Sequence, residues 1–208
     1  MAEKFNVTGE QYFGITGQVL EIIKQLRQKG GSPLNPHLVK MALQEIVEGK
    51  FRPASMLRLI SGDAVLWLKA SDGKAIIYNA SKTFKSSIDS DFVDWKLIGP
   101  SEATVETLIN VYEVIEDGTF PQIFSSLSAD LDKLVLTQAQ VIDFCEAHSN
   151  WLRQGGDITF FLIKEKRKYF VVIVYVSSGG LHVDVLDFKN DHVWPAKLRH
   201  RLVVPRMA

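Results

Sequence analysis

Residues 158–188, ITFFLIKEKRKYFVVIVYVSSGGLHVDVLDF, decide the fold class of this chain. Residues 158–163 and 169–176 are apolar runs of fewer than ten residues, rich in β-branched and aromatic side chains, and this favours strands over helices. Residues 181–188 alternate apolar with polar side chains, as in a strand with one solvated face. Two links separate the runs, one highly charged and one containing two glycines. The stretch therefore predicts a meander of three antiparallel strands.

Two amphipathic segments predict an N-terminal helical hairpin over residues 1–50. Residues 8–29 place apolar side chains at spacings of three and four, with Thr8 as the candidate N-cap. Glycines early in this segment weaken a helix and move its expected start towards Thr16. Asn35 and Pro36 predict the start of a second helix, because Asn caps helices well and Pro is favoured at the first helical position.

The rest of the chain predicts two further units, residues 51–136 and residues 137–208. The first contains a predicted hairpin of residues 64–68 and 75–79, a strand over 92–98, a strand over 110–115 and a short helix over 120–127. In the second, Thr137 caps a helix over 137–153 that precedes the meander. The fold class is α+β, an N-terminal helical hairpin with antiparallel sheet covered by helices. All of it can also be one compact domain.

A weak internal similarity suggests a diverged duplication of a helix-plus-β-meander unit. At an offset of 94 residues, residues 66–68 fall on residues 160–162, and Lys74 falls on Lys168. The identities are few, so coincidence between two hairpins explains them as well.

Composition bounds the location of the protein. The chain has 208 residues, no apolar run of the length a membrane span needs, and an N-terminus without the apolar core of a signal peptide. Its single cysteine, Cys145, excludes an internal disulfide. We therefore expect a cytoplasmic protein with no membrane contact.

Charge is unevenly distributed although the net charge is zero. Residues 101–150 carry a net −8 and residues 151–208 a net +5. Either the acidic and basic regions pack beside each other, or the basic region faces an anionic partner. The basic residues that would contact such a partner are Lys164, Lys166, Arg167, Lys168, Lys197, Arg199, His200 and Arg201, the last four on a predicted strand. Tyr169 or Trp194 could stack a nucleic-acid base beside them.

Other chemistry-bearing groups give weaker signals. His182, His192 and His200, with Asp184, Asp187 and Asp191, contain metal-ligand types, but their spacing matches no zinc motif. His182 and Asp184 would share one strand face. The Cys145–His148 pair on a helix could form a nucleophile, although an apolar setting favours an inert thiol. No GxSxG, Walker, GxGxxG or HExxH motif is present, so we expect no cofactor.

The stretch LTQAQVIDFCEAHSNWLRQGGDITFFLIK and the later DHVWPAKLRHRLVVP resemble an uncharacterised family of small bacterial proteins. In that family an LTQ-opened helix ends in WLR, two strands follow, and a DHVW segment with RHR closes the chain. The resemblance covers roughly the last 75 residues and implies a recurring C-terminal module. It transfers no activity and no site residues to this chain.

Three functions remain open on the sequence. The first is a non-catalytic protein that binds a protein partner through the basic turn and the C-terminal strand. The alternative is a nucleic-acid-binding protein that uses the same basic residues. The third is an enzyme that uses His182, Asp184 and His192, with or without a metal. The sequence leaves the oligomeric state open.

Overall fold

The structure is a computed structural model that describes residues 6–48, 56–155 and 157–207. The chain divides into two units, Met1–Pro53 and Ala54–Ala208. The boundary predicted between residues 50 and 51 lies outside the described residues. Residues 51–136 and 137–208, predicted either as separate units or as parts of one compact domain, contribute strands to one sheet in their described parts.

The first unit contains the two predicted helices, α1 (Gly9–Leu26) and α2 (Pro36–Val47). Thr8 caps α1 in a reciprocal capping box with Gln11, so the start expected near Thr16 is wrong. Asn35 caps α2 by accepting from the backbone N–H groups of His37 and Leu38, as predicted. None of the described residues of either helix is buried.

The second unit is built on a mixed sheet of eight strands among the described residues. The strands are β1 (Leu57–Leu59), β2 (Leu66–Leu68), β3 (Ser87–Ile88), β4 (Thr107–Val114), β5 (Ile158–Glu165), β6 (Lys168–Ser177), β7 (Gly180–Asp187) and β8 (Arg201–Pro205). Their order is β1-β4-β8-β5-β6-β7-β3, and β2 also pairs with β4. The α+β class and the predicted antiparallel pairing are confirmed, and the sheet is mixed because β8 runs parallel to β5 and β3 parallel to β7.

The predicted meander is confirmed as β5, β6 and β7. The pairing of Glu165 with Lys168 reduces the first link to a two-residue turn, Lys166 and Arg167. Gly180 adopts a φ of +115° where the second turn re-enters the sheet, a conformation that favours glycine.

Both faces of the central strands are buried. Neighbouring residues of a strand point to opposite sides, and the buried residues of β5 and β6 lie on both of them. Val172 and Val183 face one core, which is covered by α3 (Asp91–Asp94) and α5 (Gln138–Ala147). Phe160 and Ile173 face the other core, which is covered by α4 (Phe120–Ser125) and by the segment around Trp194. The helix predicted over 120–127 is therefore confirmed.

Several predicted strands are instead covering segments. Residues 77–79 form a 3₁₀ turn and residues 91–94 form α3, so the strands predicted over 75–79 and 92–98 are wrong. The N–H of Ile77 bonds to the side chain of Gln138 on α5 rather than to a strand. Residues 75–79 also have no strand to match residues 169–173 of β6, so the duplication is unconfirmed.

The helix predicted over 137–153 begins as expected and ends early. Thr137 caps it through a capping box with Gln140. The α-helix ends at Ala147, and a 3₁₀ turn follows at Ser149–Trp151. Ser149 and Asn150 are weak helix formers, and such residues favour a helix end.

Gln138 of α5 holds in place the segment that precedes β4. Its side chain is buried, accepts a hydrogen bond from the N–H of Ile77 and donates one to the carbonyl of Leu97, each with a donor–acceptor distance of 3.0 Å. Replacing Gln138 with Ala leaves two backbone groups without partners, and we expect a loss of about 2 to 4 kcal/mol in unfolding free energy. Urea unfolding measures it, with exposed Glu106→Ala as the control; equal stabilities of the two variants would contradict this role.

His200 gives the second unit an acid-sensitive core. The ring is 1% exposed, lies 5.3 Å from Phe160 and 5.4 Å from Trp194, and neither ring nitrogen has a hydrogen-bond partner among the described residues. Burial lowers the pKa of His200 from 6.5 to about 4. Between these values the unfolded chain binds a proton that the folded chain does not, so stability falls on acidification.

We expect the unfolding free energy to fall by up to about 3 kcal/mol between pH 7 and pH 4 on account of this residue. His200→Phe keeps an aromatic ring at this position and removes the unpaired nitrogens, so it should flatten this part of the pH dependence. Exposed His37→Asn is the control. Parallel pH profiles for the wild type and His200→Phe would show that His200 is not responsible.

Candidate functional site

The predicted basic turn lies beside an open cavity of about 670 Å³. Lys166, Arg167 and Lys168, all exposed, line it from the β5–β6 turn. Lys96 lines it from the segment that follows α3. We call this the hairpin cavity. None of its four cations forms an ion pair with another described residue.

Two aromatic rings form the apolar side of the hairpin cavity. Trp95 stacks on Phe170 with 5.5 Å between ring centroids and 28° between planes. Phe170 is buried in the core, whereas Trp95 is half-buried. A planar ligand group therefore meets a fixed indole next to free cations.

Carboxylates share the same cavity. Asp94, Glu165 and Asp187 also line it, so four cations face three anions. Because the net charge of such a cavity is small, it selects a ligand whose charged groups match the positions of the lining charges, rather than attracting any ligand of one sign. The lining contains no serine, cysteine or histidine.

Lys164 is not part of this site. Its ammonium group bonds to Asp132 over 2.6 Å and lies 5.2 Å from the ring centre of Tyr169. The Tyr169 hydroxyl donates to the same carboxylate over 2.7 Å. These two hydrogen bonds lower the pKa of Asp132. Lys164 and Tyr169 are thus engaged in joining the acidic and basic regions of the chain.

The C-terminal basic residues lie at the other end of β5. Arg201 pairs with Thr159, near the start of β5, whereas the turn follows Glu165. Six residues of strand place the two regions about 20 Å apart. The two basic regions that the sequence assigns to one contact surface are therefore separated along β5.

The strand predicted over 197–202 is also partly wrong. Residues 196–198 form a 3₁₀ turn, and β8 begins only at Arg201. Lys197 and Arg199 are exposed, His200 is buried, and Arg201 donates to the carbonyl of Trp151 over 2.8 Å. Trp194 is 8% exposed, so the stacking residue expected from the sequence lies in the core.

The three C-terminal histidines do not meet at one point. His192 and His200 both contact Trp194, whereas His182 donates to Asp184 over 2.6 Å on β7. Within residues 6–48, 56–155 and 157–207, no three His, Cys, Asp or Glu side chains are grouped so as to hold a metal ion.

Cys145 and His148 are not a reactive pair. Cys145 is 2% exposed, and burial raises the pKa of its thiol far above the ordinary range. The ring of His148 bonds instead to the carbonyl of Trp67 over 2.8 Å. The inert thiol favoured by the sequence fits this geometry.

Comparison with known proteins assigns no family. No family model matches the chain, and no curated protein and no solved structure is significantly similar to it. None of the described helices is long and apolar enough to span a bilayer. Functional inference therefore begins from the side chains of the hairpin cavity.

Backbone strain marks the same cavity. Lys96 and Lys166 have φ values of +60° and +55°, a region that costs energy for residues other than glycine. Two of the three such residues in the described chain thus line one cavity. Residues held in this conformation often lie at functional sites.

We expect Lys166→Gly to raise the unfolding free energy by about 0.5 to 1 kcal/mol, because glycine adopts positive φ without strain. Arg167→Gly is the matched control. Arg167 is the other residue of the turn and does not have positive φ, so this substitution should lower stability. Thermal and urea unfolding measure both. A loss of stability in Lys166→Gly equal to that in Arg167→Gly would show that Lys166 is not strained.

Proposed function

We propose that the chain acts by non-covalent binding and that the hairpin cavity contacts a partner protein. The contact would be a segment that presents an aromatic side chain next to an acidic one. The observation that carries the proposal is the set of four unpaired cations around the exposed side of Trp95. We also propose that it acts in the cytoplasm, where a chain with one cysteine needs no disulfide.

The energetics favour such a partner. Free cations on a turn lose little solvation when they meet a carboxylate at the rim of an interface, so their contribution is to orientation and association rate. An aromatic side chain that covers Trp95 would supply the apolar contact that anchors the complex. The three lining carboxylates would repel a misplaced anion and so add specificity.

Single-stranded nucleic acid is the second candidate. Trp95 beside Lys96, Lys166 and Arg167 combines a stacking surface with phosphate-binding cations. In this case affinity would fall steeply with salt. A Trp95→Ala substitution would then remove the stacking contribution of about 1 to 3 kcal/mol per base.

Charge reversal at the two ends of β5 tests the site. The double variant Lys166→Glu with Arg167→Glu changes the hairpin cavity. Lys197→Glu with Arg199→Glu changes net charge equally at the other basic region, where both side chains are also exposed. Fluorescence anisotropy with a labelled acidic, aromatic peptide and a labelled mixed-sequence single strand would be measured at about 50 and 200 mM salt.

We expect the first variant to weaken binding of the preferred probe about tenfold or more and the second to change it less than about twofold. Preference for the peptide supports the protein partner, and preference for the oligonucleotide supports the second candidate. Equal effects of the two reversals, or no binding of either probe at low salt, would refute the assignment to the hairpin cavity.

A further inference from the structure

A row of polar side chains crosses the other end of the sheet. The strand pairing places Tyr175 of β6 beside His182 of β7, and Ser87 of β3 beside the same His182. Asp184 follows His182 by two residues and therefore points to the same face. Val183, between them, is fully buried on the opposite face and holds the row in place.

The row forms a directed chain of hydrogen bonds. Ser87 Oγ lies 2.5 Å from His182 Nδ1, and His182 Nε2 lies 2.6 Å from Asp184 Oδ1. The Tyr175 hydroxyl donates to the second oxygen of Asp184 over 2.5 Å. Burial, with this hydrogen bond to Asp184, raises the pKa of Tyr175 and keeps its proton in place.

This order of contacts fixes the proton positions. The Asp184 carboxylate can only accept, so the proton of His182 is on Nε2. Nδ1 is then an acceptor that faces the Ser87 hydroxyl. Nucleophile, base and orienting carboxylate are thus connected in the same order as in hydrolases with a serine nucleophile. The ring nitrogens are exchanged: here the serine faces Nδ1 and the carboxylate faces Nε2, whereas in the best-known triads the serine faces Nε2 and the carboxylate faces Nδ1.

We propose that Ser87, His182 and Asp184 form an acyl-transfer site for small esters, a function separate from binding at the hairpin cavity. Ser87 Oγ attacks the acyl carbon as its proton moves to His182 Nδ1. The bond to the leaving alcohol then breaks, and the alcohol oxygen takes that proton. Water repeats the two steps at the acyl-serine and releases a carboxylic acid. The balance is ester plus water giving acid plus alcohol.

Exposure and charge define the ester. Ser87 is exposed, so an acyl group reaches it directly from solvent. Burial, with the charges of Asp89, Asp94 and Asp184, raises the pKa of Asp91. The Asp184 carboxylate itself lies 2.6 Å from His182, beside the site where the ester would bind. Uncharged acyl donors are therefore preferred over anionic ones.

The two sites can be tested independently. Phe170 is opposite Asp187 near the hairpin cavity, whereas Tyr175 is opposite His182. Five residues of strand separate them by about 17 Å. The side chains of Phe170 and Tyr175 also point to opposite faces of the sheet.

A fluorophosphonate probe tests the nucleophile in the full-length chain. It phosphonylates an activated serine with loss of fluoride, and mass spectrometry of the digested protein identifies the modified residue. We expect modification at Ser87 and, with p-nitrophenyl acetate, steady release of p-nitrophenol. Ser87→Ala should abolish both, whereas Ser86→Ala, which changes an exposed neighbour, should retain both.

Variants of His182 and Asp184 show whether Ser87 reacts because it is activated or only because it is exposed to solvent. His182→Gln should slow modification of Ser87 by about 100-fold, the usual loss when a general base is removed. Asp184→Asn should lower kcat for p-nitrophenyl acetate with little change in KM, because Asp184 positions the base and does not contact the ester. The succinate monoester of p-nitrophenol carries a free carboxylate, so it should react more slowly than the uncharged acetate ester.

Thermal unfolding checks that each variant is folded. Modification of the wild type at Ser87 at a rate unchanged in folded His182→Gln would overturn the proposal. Absence of modification together with p-nitrophenol release equal to that of Ser87→Ala would also overturn it. The double reversal Lys166→Glu with Arg167→Glu should leave ester hydrolysis unchanged, so failure of the hairpin-cavity proposal and failure of this one are distinguishable.

Discussion

The burial of both faces of β5 and β6 is the constraint on which the rest of the second unit depends. Neighbouring side chains such as Val171, Val172 and Ile173 are all excluded from water, so each face needs a cover. Helix α5 and the segment before β4 cover one face, and α4 with the segment around Trp194 covers the other. The two candidate sites lie at opposite ends of β6.

The uneven charge map has a partly internal explanation. Asp132 from the acidic region forms an ion pair with Lys164 from the basic region. Glu113 of β4 lies opposite Arg201 of β8, but its ion pair is with Arg58. The Asp132–Lys164 pair is short-range and satisfies two charges that the sequence alone presents as part of a surplus. The cations of the β5–β6 turn form no ion pair among the described residues, and neither do the exposed Lys197 and Arg199, so unpaired basic charge remains at both ends of β5.

Local patterns predicted what depends on local interactions. The caps Thr8, Asn35 and Thr137 and the meander follow from side-chain chemistry within a few residues. The strand expected over 75–79 failed because its backbone found a distant partner in Gln138. Nothing in the sequence near Trp95 connects it with Phe170. The contact of His182 with Asp184 was predictable only because they are two positions apart on one strand and so share a face.

Ser87 shows why the complete polar row was hidden. It lies almost one hundred residues before His182, on a strand of two residues that no periodicity could reveal, and it joins β7 in parallel. The buried face of β7 supplies a rigid base for such a row, because Val183 and Val185 cannot shift without opening the core. A chain without a recognisable motif can therefore present two chemically distinct candidate sites, each built from residues that are remote in sequence and fixed by strand register.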